Sequence, residues 1–165
     1  MAAVTVREAG AGDVEGIRSV GQACWPGTYA FAGEDYIEHG LASWWSVEAT
    51  ERSLRDTAVV VAVEAGRVVG MGNVDLRGEI PTIWKLYVLA GMRGAGVGGA
   101  LLGALIERVF GSADGVRLEY TDGNDRAARF YARHGFVETG REPGERPGWP
   151  DTVWARKPLA EGRVA

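Results

Sequence analysis

The chain has 165 residues, of which 46% are hydrophobic and 24% charged, and its formal net charge is −4. These values are typical of one globular domain, here residues 1–165, with a core of ordinary size. The sequence contains no basic tract typical of nucleic-acid binding, no apolar run of membrane-spanning length and no leader-like segment. We therefore expect a cytoplasmic protein that binds neither nucleic acid nor a membrane.

Cysteine and histidine are scarce. Cys24 is the only cysteine, and His39 and His134 are the only histidines. One cysteine cannot form an internal disulfide, and this set is too small for a typical zinc site, so we predict no metal. Cys24 lies near the end of a predicted helix, and we interpret it as a small buried residue rather than a nucleophile.

The first third of the chain is predicted to be one strand followed by helices. Val4 to Arg7 has a strand-like pattern, and Asp13 is a plausible N-cap for a helix that runs to about Ala23. Pro26-Gly27 is expected to stop that helix. Two further helices are predicted, from Glu34 to Gly40 and from Ser46 to about Arg55.

A meander of strands is predicted next. Ala58 to Glu64 and Arg67 to Leu76 are apolar, valine-rich runs joined by Ala65-Gly66, which predicts an antiparallel hairpin. A third strand follows at Ile83 to Leu89, after a short turn. Three strands in succession with short connections should lie side by side.

A glycine-dense turn, Arg93 to Gly99, follows the third strand. Beyond it Leu101, Leu105 and Val109 recur every four residues, which indicates a buried helix face. Glycines let the backbone approach a ligand closely, and a helix N-terminus offers unpaired N–H groups and the positive end of the helix dipole. This strand–loop–helix unit therefore favours a phosphate or pyrophosphate.

The remaining elements complete a mixed sheet. They are a strand at Val116 to Thr121, a helix at Asn124 to His134, and strands at Phe136 to Thr139 and Thr152 to Lys157. The pattern predicts an α+β fold, in which helices flank a central, mostly antiparallel, twisted sheet of about six to seven strands.

The glycine turn is open to several interpretations. It contains the dinucleotide pattern G-x-G-x-x-G, and Glu119 lies about twenty residues further on. A dinucleotide fold, however, needs successive parallel βαβ units, whereas a meander precedes this turn and only 66 residues follow it. No Lys-Ser/Thr follows the glycines, which disfavours a phosphate-loop NTPase. A turn that binds nothing is the remaining alternative.

Two motifs together resemble the GNAT superfamily of N-acetyltransferases. Arg93-x-x-Gly96-x-Gly98 is similar to that family's pyrophosphate loop. Downstream, the stretch from Asn124 to Phe136 resembles its second motif, N-x-x-A-x-x-F-Y-x-x-x-G-F. Both occur in order with a strand between them, and the resemblance covers about residues 83–136.

The resemblance implies acetyl-CoA as acyl donor and a sheet splayed at the strand before the pyrophosphate loop. Backbone groups of that strand would pair with the amide-bearing arm of the cofactor, and the Val88 N–H would polarise the acetyl carbonyl. Asn124 would contact the arm, although an N-cap role is equally natural for it. The implied cofactor-binding residues are Leu86, Tyr87, Val88, Arg93, Gly94, Ala95, Gly96, Val97, Gly98, Asn124, Ala127 and Tyr131.

The resemblance also implies a catalytic acid. Tyr131 matches the family tyrosine that protonates the departing thiolate; the alternative is a core aromatic role beside Phe130. Many relatives carry a carboxylate on the strand before the loop, but here no Asp or Glu lies between Ile83 and Leu89. Asp75, Glu79 and Glu119 are each interpreted as solvated or turn carboxylates, so no base is assigned.

The acceptor site is expected between the early helices and the late loop, which are rich in aromatic residues. Aromatic faces and carboxylates both attract an ammonium group, and Tyr29, Glu34 and Trp84 are the candidate substrate residues. We predict a small primary amine as acceptor and a monomer or homodimer. A protein N-terminal or lysine acetyltransferase and a catalytically silent acyl-CoA-binding module are the alternatives.

Overall fold

In the computed structural model, which describes residues 3–160, seven strands form one sheet. The strands are β1 (Val4–Glu8), β2 (Ala58–Glu64), β3 (Arg67–Asp75), β4 (Thr82–Val88), β5 (Gly115–Thr121), β6 (Val137–Glu142) and β7 (Thr152–Pro158). Their order is β1-β2-β3-β4-β5-β7-β6. Within the described residues only β4 and β5 pair in parallel. The predicted α+β sheet is confirmed, whereas the assignment of residues 1–165 to one domain extends beyond the described residues and stays a prediction.

Five α-helices flank this sheet within the same residues. They are α1 (Val14–Thr28), α2 (Glu34–Trp44), α3 (Val47–Asp56), α4 (Val97–Val109) and α5 (Asp125–Arg133). The face against α4 and α5 buries Leu101, Leu105 and Leu118, and the face against α1 buries Ile17 and Val20. The i, i+4 spacing of Leu101 and Leu105 puts both on the sheet side of α4, as the sequence predicted.

Most element boundaries agree with the sequence, but α2 continues past Gly40 to Trp44, and the end of α1 also differs. Helix α1 continues through Pro26 to Thr28, so the prediction that Pro26-Gly27 stops it is wrong. A proline removes one backbone hydrogen bond, yet the last turn persists because the Tyr29 N–H donates to the carbonyl of Trp25 (2.9 Å) and both side chains are buried. The longer helix carries Tyr29 to the open part of the sheet.

The turns match their sequence signals. Ala65 (φ 49°) and Gly66 (φ 78°) both have positive φ, as a tight hairpin turn between β2 and β3 requires. The hydroxyl of Ser46 accepts from the Ala49 N–H (3.1 Å) and caps α3. Strand β6, in the hairpin with β7, is longer than predicted: it extends to Glu142 instead of ending at Thr139.

Candidate active site

The sheet opens between β4 and β5. Their pairing is limited to Thr82 with Arg117 and Ile83 with Leu118, after which the strands separate. A bulge accompanies the opening: Val74 pairs with Ile83 but Asn73 pairs with Lys85, which leaves Trp84 as the extra residue on β4. This is the splay that the sequence predicted before the glycine turn, and it exposes one edge of β4.

The edge of β4 that faces the opening has backbone groups that the sheet itself does not use. The Leu89 N–H donates to the Val69 carbonyl (2.9 Å), so the neighbouring Gly70–Val88 pair is of the non-hydrogen-bonded kind. The N–H and C=O of Val88, and by the same alternation those of Leu86, therefore point away from β3 into the opening. The Cys24 thiol donates to the Val88 carbonyl (3.4 Å) from the α1 side.

The glycine turn lies at the end of this edge. Gly94 (φ 84°) and Gly96 (φ 80°) adopt left-handed conformations, and α4 begins at Val97 directly after them. Since Ala100 donates to the Gly96 carbonyl (3.1 Å), the N–H groups of the preceding helical residues lack intrahelical partners. No acidic residue lies in the first turn of α4, so the positive end of its dipole is not neutralised.

Helix α5 begins beside the same opening. The Asn124 side chain accepts from the Ala127 N–H (3.3 Å), which confirms the N-cap role that the sequence allowed. Phe130 on this helix lies next to the glycine turn, because a Cβ added at Gly98 would lie 3.4 Å from its ring. The turn, α5 and the free edge of β4 therefore surround one space.

Four tyrosines lie close to one another near the opening: Tyr29, Tyr36, Tyr87 and Tyr131. The hydroxyls of Tyr29 and Tyr87 are 2.8 Å apart, and the hydroxyls of Tyr36 and Thr121 are 2.9 Å apart. Tyr131 is buried (7% exposed), and burial raises the pKa of its phenol, with the nearby Tyr29 adding to the effect. Burial likewise raises the pKa of Tyr29 to about 12. These phenols stay protonated at neutral pH and can act as proton donors.

A cavity of about 460 Å³ lies on the α1–α3 side of the opening. Its aromatic wall holds Tyr36 edge-on against Trp149 of the β6–β7 loop, with ring centroids 5.3 Å apart. Trp25 stacks on Tyr36 from the other side at 5.8 Å. Of the predicted substrate residues, Tyr29 and Trp84 line this cavity. Glu34 does not: it is exposed in the first turn of α2, where its charge complements the helix dipole.

Glu119 is the carboxylate that the sequence interpretation misjudged. It follows Leu118, the last residue of β5 paired with β4, and it lines the cavity half-buried rather than solvated. Burial raises its pKa, and the nearby Glu142 and Glu145 raise it further. Asp75 behaves oppositely, because a hydrogen bond from Arg77 holds its pKa well below the usual range. Glu79 is exposed, as expected.

Lys85 is a cavity residue that sequence reasoning did not single out. Its ammonium lies 4.1 Å from the centroid of the Trp45 ring and donates to the Trp44 carbonyl. Its burial, and the nearby Arg52, lower the pKa of Lys85 to about 8. A single cation inside the otherwise apolar run from Ile83 to Leu89 was the signal that could have found it.

Two other sequence expectations concern metals and membranes. Within residues 3–160 no group of three or more His, Cys, Asp or Glu side chains is arranged to hold a metal ion. No helix in the same range is long and apolar enough to cross a membrane. Cys24 is buried and unpaired, as predicted for a small core residue.

The open β4 edge, the glycine turn at a helix N-terminus and the adjoining cavity define a transferase that uses an acyl-CoA donor. The family model described as "Acetyltransferase (GNAT) domain" matches residues 55–138, just over half of the chain. The chain belongs to this family and is an acetyl-CoA-dependent N-acetyltransferase. The dinucleotide and phosphate-loop interpretations of the glycines are therefore set aside.

Solved structures share this fold. The PaiA N-acetyltransferase of Thermoplasma acidophilum, in complex with coenzyme A, is 20% identical, with a TM-score of 0.79 over 95% of this chain and 99% of its own. Ard1 of Thermoplasma volcanium is 24% identical (TM-score 0.78; 96% and 99%). The ribosomal-protein-S18-alanine N-acetyltransferase of Escherichia coli is 17% identical (TM-score 0.77; 99% of both chains). No curated sequence matches significantly.

Proposed function

We propose that this enzyme transfers the acetyl group of acetyl-CoA to the primary amine of a small molecule, by direct attack within a ternary complex. The observation that carries the proposal is the position of Glu119, a half-buried carboxylate that lines the aromatic cavity where β4 and β5 separate. A donor bound along β4 and an amine bound in the cavity would meet at this point.

The donor is proposed to bind along the free edge of β4 and across the glycine turn. The backbone groups of Leu86 and Val88 would hold the amide-bearing arm, with the Val88 N–H directed at the acetyl oxygen. Those of Tyr87, between them, pair with Met71 of β3 by the same alternation and are not available to the cofactor. The pyrophosphate would lie over the turn from Arg93 through Gly94, Ala95, Gly96 and Val97 to Gly98, where N–H groups and the dipole of α4 favour an anion. Asn124 and Ala127 at the start of α5 would complete the site.

The chemistry requires one proton acceptor and one proton donor. Glu119 takes a proton from the acceptor ammonium, directly or through water, and its raised pKa makes it a stronger base than an ordinary carboxylate. The amine nitrogen then attacks the thioester carbon, the C–N bond forms and the C–S bond breaks. Tyr131 gives its proton to the departing thiolate, and the second proton that the nitrogen loses as the amide forms passes through solvent and restores the phenol.

Direct attack is favoured over an acetyl-enzyme. Cys24 is the only cysteine in the sequence, and burial raises the pKa of its thiol. A thiol that stays protonated is a poor nucleophile. Its hydrogen bond to the Val88 carbonyl also fits a packing role beside the donor site.

The size of the cavity supports a small acceptor. About 460 Å³ accommodates a metabolite-sized amine. The contact of Trp149 with Tyr36 and His39, at 5.3 Å between ring centroids, closes one side of it. A protein N-terminal acetyltransferase is the second candidate, supported by the likeness in fold to the ribosomal-protein-S18-alanine N-acetyltransferase.

A panel of acceptors tests this proposal. Purified protein would be incubated with acetyl-CoA and either small primary amines or short peptides with free N-termini, and the products identified by mass spectrometry. We expect N-acetylation of one or more small amines at a higher kcat/KM than any peptide. Acetylation of peptides alone would replace the small-amine proposal with the second candidate, and acetyl-CoA binding without turnover of either class would favour a silent module.

A further inference from the structure

The cavity has a cationic lobe, formed by Arg52 and Lys85, next to the β4 bulge. Lys85 reaches it from β4, and Arg52 reaches it from α3. No Asp or Glu side chain within residues 3–160 forms an ion pair with Lys85 or Arg52. The partners of the Lys85 ammonium are the Trp44 carbonyl and the face of the Trp45 ring, both of which leave its charge uncompensated.

The two carboxylates in this lobe are already engaged. Asp75 lies 2.9 Å from the Arg77 guanidinium, and Asp56 lies 3.4 Å from the same group. Arg77 thus forms ion pairs with both carboxylates. Because Arg52 is the charge that acts on Lys85, the two remaining cations repel each other across a partly buried space. An anion that enters this space would relieve the repulsion and give the Lys85 ammonium a partner of opposite charge.

The cavity also carries negative charge. Glu119 lines it from β5, and Glu145 of the β6–β7 loop is close enough to raise the pKa of Glu119. Within residues 3–160 Glu119 and Lys85 form no ion pair, so each is available to a different charged group of a ligand. The cavity therefore offers one place for an ammonium group and another for an anion.

We propose that the acceptor carries an anionic group, a carboxylate or a phosphate, which Lys85 and Arg52 bind while its amine faces Glu119. This inference rests on the proposed function and narrows its acceptor to amines of mixed charge. Lys85 binds the anion by a charge-assisted hydrogen bond inside the cavity. Arg52, which is exposed, binds it at the mouth.

Matched pairs of acceptors test the proposal. Straight-chain ω-amino acids, from glycine to 6-aminohexanoate, would be compared with n-alkylamines of the same chain length by thiol release from acetyl-CoA. At the best chain length we expect kcat/KM for the amino acid to exceed that for the alkylamine about 10-fold or more. A partly buried charge-assisted hydrogen bond to the anion would give an effect of this size. In Lys85→Met this ratio should fall to about 1.

A control variant on α3, the helix of Arg52, distinguishes an effect of the cavity from a general effect of protein charge. Arg55 is exposed on α3 and does not line the cavity, so Arg55→Gln should keep the wild-type ratio. If Lys85→Met unfolds, Arg52→Gln replaces it and should reduce the ratio several-fold. Equal turnover of both series, or an unchanged ratio in Lys85→Met and Arg52→Gln, would overturn the anion site while leaving acetyl transfer to amines intact.

A binding measurement tests the anion site even if the enzyme acetylates neither the ω-amino acids nor the alkylamines. Calorimetric titration with glutarate and with inorganic phosphate, at low salt, should show binding to the wild type that weakens about 10-fold or more in Lys85→Met. Absence of binding by both anions would refute the proposal independently of activity. Anion binding without turnover of any amine would instead count against the proposed function.

Discussion

Tyr131 is held by aromatic rings on three sides. Its ring centroid lies 5.4 Å from Phe130, 5.7 Å from Phe136 and 6.0 Å from Tyr120. The sequence left open whether Tyr131 is catalytic or a core aromatic, and this packing shows that it contributes to the core. A fixed, protonated phenol is also what a general acid requires, so packing and catalysis are compatible.

The substitution Tyr131→Phe separates the two roles, because it keeps the ring and removes the proton. We expect kcat to fall about 100-fold, as for loss of a general acid. The affinity for acetyl-CoA, measured by calorimetry, should change little. Wild-type turnover with an unchanged pH profile would remove Tyr131 from the mechanism.

Glu119 should determine the pH dependence of the rate. As the proposed base it must be ionised, and burial together with Glu142 and Glu145 raises its pKa above the ordinary value of 4.5. The rate should therefore increase with pH through an apparent pKa above that value, measured as kcat/KM for the acceptor. In Glu119→Gln we expect kcat/KM to fall about 100-fold and this acidic limb to disappear. If the limb persists in the variant, another group is the base.

Among the secondary-structure elements, the glycine turn before α4 is the best test of donor binding. A Cβ at Gly96 (φ 80°) imposes about 1–2 kcal/mol of backbone strain, so Gly96→Ala should move the N–H groups at the start of α4. We expect the Kd for acetyl-CoA, measured by calorimetry, to rise about 10-fold.

Gly103→Ala is the matched control on the same helix. Gly103 lies in the interior of α4, and nothing is within 4 Å of its added Cβ. Alanine there should stabilise the fold by about 0.5–1 kcal/mol in chemical denaturation without affecting the Kd. Unchanged acetyl-CoA affinity in Gly96→Ala would argue against the turn as the donor site.

Helix α1 packs closely against the aromatic residues of the cavity, because Gly21 has no side chain to hold the Trp45 ring away. A Cβ at Gly21 would lie 2.1 Å from the Trp45 ring. Gly21→Ala should therefore destabilise the protein by about 2 kcal/mol, as overpacking does, measured by chemical denaturation. Gly27, on the same helix, has nothing within 4 Å of an added Cβ, and Gly27→Ala should not destabilise it. Equal stabilities of the two variants would contradict the packing described here.

For the whole molecule, the sequence predicted the strands, the helices and the strand–loop–helix unit at the glycine turn well, because those signals are local. Valine-rich runs, the Ala65-Gly66 turn and the glycine loop depend on neighbours in the chain. The charged residues of the cavity were not predicted. Arg117, Glu119 and Thr121 alternate along β5 and look like a solvated face, yet Glu119 lines a cavity to which α2 and Trp149 also contribute from distant parts of the chain.

Lys85 and Glu34 illustrate the same limit. Glu34 is close in sequence to the cavity aromatics, but the helical turn of α2 directs Tyr36 and His39 inward and leaves Glu34 outside. Lys85 lies in a strand that the sequence linked to the donor, whereas its side chain belongs to the acceptor cavity. The charge pattern of the cavity exists only once β4, β5, α2 and α3 are assembled.

The most direct test of the central claim is the rate at which acetyl-CoA releases free thiol in the presence and absence of a primary amine. We expect slow hydrolysis without acceptor, a saturable increase with a primary amine, and no increase with the corresponding tertiary amine, which cannot form the amide. The mass of the protein itself should stay unchanged. Thiol release that does not depend on amine, or an acetylated protein intermediate, would contradict direct acetyl transfer in the cavity.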